Sequence, residues 1–113
     1  MHGAKPGEVW ITDLGMAAKV RPCLVVTPPP QEDDLDVFTV IAHTTSRHGS
    51  RWEVPMLKPF LAAEGVFDVQ RIATVSSVKL ERKLGELNRA EFDIIRDRLA
   101  QRLGICQGVR DAY

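Results

Sequence analysis

The sequence has 113 residues, the length of one ordinary domain and too short for two. Apolar residues make up 44% and charged residues 27%, which excludes collagen-like, disordered and coiled-coil classes. Fifteen Lys and Arg balance fifteen Asp and Glu, so no global field draws the chain onto nucleic acid or membrane, and a polyanion partner must meet a local patch.

The pattern predicts a first strand over Glu8–Asp13 (EVWITD), rich in β-branched and aromatic residues. Residues 14–20 (LGMAAKV) carry Gly and small side chains with no strand pattern and read as a mobile loop. A second strand follows at 21–27 (RPCLVVT) and stops at three prolines. The acidic stretch 31–36 after them reads as a solvated connection. Further strands are predicted at 36–44 (DVFTVIAHT), 51–54 and 66–75 (VFDVQRIATV), with a short sixth at 83–87. The period then changes to that of a helix: Phe92, Ile95, Leu99 and Leu103 form one stripe, with Asn88 and Glu91 spaced as a capping box and Gly104 as the stop. Residues 105–113 read as a tail. Five or six short strands with one C-terminal helix predict a small, strongly bent antiparallel sheet or partial barrel with the helix packed on one side.

No apolar run approaches the roughly 18 residues of a membrane helix, and the opening MHGAKPG lacks the apolar core of a secretion signal, so a cytoplasmic protein without a membrane partner is expected. Cys23 and Cys106 stand far apart and read as reduced thiols. His2, His43 and His48 show no ligand spacing; no metal and no cofactor is expected.

Several residues can carry chemistry. Arg21 opens an apolar strand after a small-residue loop, where a guanidinium needs an anion: a phosphate or carboxylate ligand, or a salt bridge to Asp13 or Asp68. Alternation along the third strand puts Thr44 with Phe38, Val40 and Ala42, and His43 on the opposite face with Val37 and Ile41. Thr44, Thr45 and Ser46 can donate to phosphate oxygens or make ordinary turn bonds. Arg47, His48, Arg51 and Trp52 bring cations and an aromatic ring together, as single-stranded nucleic acid requires, though Trp52 can equally anchor a core. On a regular fifth strand Asp68, Gln70 and Ile72 share one face, and Phe67, Val69 and Arg71 the other.

The order of these pieces resembles the MazF/PemK family of toxin endoribonucleases. The matching segments are KPGEVW at 5–10, VRPCLVV at 20–26, IAHTTS at 41–46, Val69-Gln70, LGEL at 84–87 and a helix closing on Leu103-Gly104. The resemblance covers residues 5–104 and implies a single domain over 1–104, of the small SH3-like partial-barrel type shared with CcdB toxins, working as a homodimer. It implies a metal-independent endoribonuclease that cuts single-stranded RNA by attack of the ribose 2′-hydroxyl on the adjacent phosphorus, and a cognate antitoxin as partner. Arg21 and Thr44 then correspond to the catalytic pair, and Lys19, Thr45, Ser46, Arg47, Arg51, Trp52 and Gln70 become expected RNA contacts. One departure stands out: many members carry an acid directly before the fifth-strand Gln, where this chain has Val69. A CcdB-like inhibitor of a protein target such as a topoisomerase, or a catalytically inactive nucleic-acid-binding module, is the alternative.

Overall fold

The computed structural model describes residues 2–15, 17 and 19–105. Cys106 and the rest of the predicted tail beyond Ile105 lie outside them. Six antiparallel strands form one sheet: β1 (Glu8–Asp13), β2 (Val20–Val25), β3 (Val37–Thr44), β4 (Glu53–Pro55), β5 (Val66–Ser76) and β6 (Leu80–Glu86), in the spatial order β4-β5-β3-β2-β1-β6. Helix α1 spans Arg89–Leu103. Both halves of the predicted capping box are made: the Asn88 side chain accepts the Glu91 N–H and the Glu91 carboxylate accepts the Asn88 N–H, each at 2.8 Å. Gly104 ends the helix at φ 73°, a left-handed conformation that glycine adopts without a Cβ clash.

The sheet buries apolar side chains on both faces. On one, Phe92 and Ile95 of α1 pack against Val9, Leu24, Ile41 and Phe67. On the other, Cys23, Val25, Phe38, Val40, Ala42 and Leu80 form a second cluster, edged by half-buried Trp10, Leu14, Ala73 and Val75. β3 therefore alternates as its sequence pattern requires, with Ile41 toward the helix and Phe38, Val40 and Ala42 away from it.

Three expectations need adjusting. β6 begins at Leu80 rather than 83, because two register shifts against β1 let a stretch with poor apolar alternation pair fully. β4 begins at Glu53, which leaves Arg51 and Trp52 in the preceding turn. β5 is not regular: opposite β3, the partner of Ile41 is Ile72 but that of His43 is Phe67, so residues 68–71 bow out of the β3 ladder.

Candidate functional site

The register Cys23↔Ala42 continues outward to place Arg21 beside Thr44 on the sheet face away from α1. Arg21 Nη1 donates to Thr44 Oγ1 at 3.5 Å, and the Ser46 N–H donates to the same oxygen at 3.0 Å. A hydroxyl has two acceptor sites and one proton, so with both acceptor sites taken the Thr44 proton points elsewhere, available to an anionic oxygen. Thr44 is only 2% exposed and Arg21 is half-buried above it, so an incoming anion meets the guanidinium first. The two acids named as alternative partners of Arg21 each make other contacts as well. Asp13 accepts the Gly15 N–H at 2.8 Å and pairs with Lys79 at 3.7 Å, and Asp68 pairs with Arg71 at 3.4 Å.

Arg21 lines a cleft of about 250 Å³ together with Leu14, Ala17, Ala42, Arg71, Ile72 and Ala73. Two arginines and no described acid line it, a composition suited to a polyanion. Arg71 was hidden from strand reasoning, because alternation would have put it with Phe67 and Val69 in the helix-side core. The loop over the cleft is closed by its own backbone: Leu14 N–H donates to Lys19 O at 2.9 Å and Lys19 N–H to Gly15 O at 2.6 Å. Lys19 is exposed and sits at φ 61°, a conformation that costs a non-glycine residue on the order of 1 kcal/mol.

The other expected RNA contacts are distributed unevenly. Thr45, Ser46 and Arg47 are exposed directly after β3, beside the Arg21–Thr44 pair. Their loop is held from below by Glu53, whose carboxylate accepts the His48 N–H at 2.6 Å and the Gly49 N–H at 2.9 Å; the His48 bond is the main reason its carboxyl titrates below the usual 4.5. Gln70 is exposed on the bowed segment, its backbone N–H given to Asp68 Oδ1 at 2.9 Å. Arg51 and Trp52 stand apart. The indole packs against the helix-side core, with the Arg51 guanidinium 4.3 Å and that of Arg102 5.5 Å from its ring centre, and Arg98 donates to the Arg51 carbonyl. Its surroundings are those of the core anchor weighed as the alternative for this residue.

His43 and Cys23 complete the neighbourhood without reaching the cleft. His43 faces the helix side, 3% exposed, edge-on to Phe67 at 4.9 Å, and its Nε2 has no hydrogen-bond partner among the described residues. Burial holds it below the usual 6.5, against a smaller upward pull from Glu64. The buried Cys23 thiol is free, and burial pushes it up to about 11, which leaves it a small apolar filler. Among the described residues, no three His, Cys, Asp or Glu side chains gather as a metal site, and no helix is long and apolar enough to cross a membrane.

The family model described as PemK-like, MazF-like toxin of type II toxin-antitoxin system matches residues 5–103. Among solved structures, a mycobacterial endoribonuclease superposes with a TM-score of 0.73 at 25% identity, over 93% of this chain and 95% of that one. A mycobacterial endoribonuclease in complex with its cognate antitoxin gives the same score and identity over 90% and 96%. MazF from Deinococcus radiodurans, 19% identical, shares the fold with a TM-score of 0.74 over 92% and 99%. None of the curated proteins compared matches the chain in sequence.

Proposed function

The chain belongs to the PemK-like, MazF-like toxins of type II toxin-antitoxin systems, and from that premise we propose that it is an endoribonuclease cutting single-stranded RNA at the cleft beside Arg21. The observation that carries this reading is the Arg21–Thr44 hydrogen bond at the edge of a cleft lined by two arginines and no described acid. In RNA transesterification the nucleophile is the substrate's own 2′-hydroxyl, so the protein has only to position the strand and neutralise charge. The 2′-oxygen bonds to phosphorus, the P–O5′ bond breaks, and the products are a 2′,3′-cyclic phosphate and a 5′-hydroxyl. Arg21 pairs with the phosphorane oxygens. Thr44 aims the guanidinium and offers its remaining proton to a non-bridging oxygen. Arg21 acts by charge and by its forked donors and leaves proton transfer to solvent.

The mycobacterial relative solved with an antitoxin supports a cognate antitoxin as partner here, covering the same cationic cleft. A homodimer, which the family resemblance implies, would double the cations facing RNA. Cytoplasmic mRNA is the matching substrate pool. The test is incubation of purified protein with long RNA, and separately with DNA, in excess EDTA, followed by mapping of the new ends. Cut RNA with cyclic-phosphate ends and intact DNA are expected. Cleavage that requires added divalent metal, or none at all, overturns the reading.

A further inference from the structure

The bow in β5 changes which face its side chains serve. Phe67 before it, Val69 within it and Ile72 after it all pack against the helix-side core, an odd-to-even switch that a regular strand does not allow. Arg71 is thereby lifted off the core face and set into the cleft with Arg21. Asp68 holds it there. This acid is 3% exposed, its Oδ1 fixed by the Gln70 N–H at 2.9 Å and its Oδ2 3.4 Å from Arg71 Nε. A buried carboxylate requires a counter-charge, so the pair restricts where a long, 39% exposed arginine side chain can reach.

We propose that Arg71 binds an RNA phosphate other than the one being cut, and that Asp68 is its positioning residue. The inference rests on the cleft's assignment to RNA and adds to it a division of labour. Arg21, hydrogen-bonded to Thr44, serves the reacting phosphate, whereas Arg71, ion-paired with a carboxylate while its Nε makes no hydrogen bond among the described residues, serves strand register. The acid of β5 thus acts through an arginine rather than as a base.

Binding is measured with a random-sequence, 2′-O-methylated single-stranded RNA pool, which cannot be cut, over a series of salt concentrations, and single-turnover cleavage of unmodified RNA is measured alongside. Arg71→Ala should weaken binding on the order of tenfold, as loss of one charged contact does, and should flatten the slope of log K against log salt by about 0.7. In cleavage its effect should fall on KM far more than on kcat. Asp68→Asn should weaken binding less than Arg71→Ala, and should add nothing further in the Arg71→Ala background. Arg71→Lys, which keeps the charge and tolerates loss of the buried pair's geometry, should keep the salt slope. Unchanged affinity and slope in Arg71→Ala overturn the proposal, as does a loss confined to kcat. Failure of the wild-type protein to cut any RNA while Arg71→Ala still weakens pool binding would instead remove the nuclease reading and leave the phosphate contact standing.

Discussion

Replacing Thr44 by valine and by serine separates the two things its hydroxyl does from the space its side chain fills. Valine keeps the volume and deletes the oxygen that accepts Arg21 Nη1 at 3.5 Å and the Ser46 N–H at 3.0 Å. Ser46 is exposed and its N–H can turn to water, so the stability cost should stay near about 1 kcal/mol rather than the full penalty of a buried orphan. The rate should suffer far more. Loss of a preorganised donor costs about 2.7 to 4 kcal/mol, a hundredfold to a thousandfold, and here the guanidinium loses its aim as well. Serine reverses the pattern: it keeps the oxygen but removes a methyl at a position 2% exposed, a cost of about 1 kcal/mol in stability with a rate within roughly tenfold of wild type. Single-turnover cleavage of one short RNA, with melting curves on the same preparations, reads both quantities. Wild-type cutting by Thr44→Val, or equal damage to the rate in the two variants at equal stability, refutes the role assigned to the hydroxyl.

Arg21→Ala should cut about a hundredfold to a thousandfold more slowly in the same assay, and Arg21→Lys should recover only part, because a point charge cannot donate in a forked geometry; full activity of the alanine variant ends the catalytic assignment. Acid should erode stability in two windows. His43 is held below 6.5, so the unfolded chain takes up its proton first and melting temperature should fall as pH drops below that value, a component that His43→Leu should remove. Glu53 is held below 4.5, so its contribution is present above that value and is lost as pH falls through its lowered range; titrating melting temperature from pH 8 to 3 in both backgrounds checks this. A Cβ on Gly65 would overlap the His43 ring, and one on Gly85 the Phe60 ring. The His43 ring is buried and cannot retreat while Phe60 is half-buried and can, so Gly65→Ala should cost about 1 to 3 kcal/mol in urea unfolding and Gly85→Ala clearly less.

Much of this architecture was legible from local chemistry. The capping box, the glycine stop and the helix stripe needed only spacing, and alternation alone put Thr44 and His43 on opposite faces of β3. The helix stripe held only in part: Phe92 and Ile95 are buried, but Leu103 is 53% exposed, since the last turn runs past the edge of the core. Pairing of Arg21 with Thr44 became legible only through the family resemblance, because cross-strand register is not written in either strand separately. Arg71 was illegible to both routes. Its place depends on a bow in β5 whose register is set against β3, and strand periodicity does not anticipate residues that drop out of a ladder. Trp52 shows another limit: composition left it open between a stacking platform and a core anchor, because the packing against the helix-side core and the two guanidiniums around it come from elements distant in sequence.

The separation of the two buried clusters from the Arg21–Thr44 pair gives the protein a genetic asymmetry. Changes around Ile41, Phe67 and Ile95, where α1 closes the core, remove the folded molecule and with it any trace on an immunoblot. Changes at Arg21 or Thr44, on the other face, leave a molecule of full abundance that has gone silent. Colonies that survive forced expression should therefore sort into two kinds, those that lack the polypeptide and those that keep it, and whether each lesion lies in a buried cluster or at the Arg21–Thr44 pair should predict the kind.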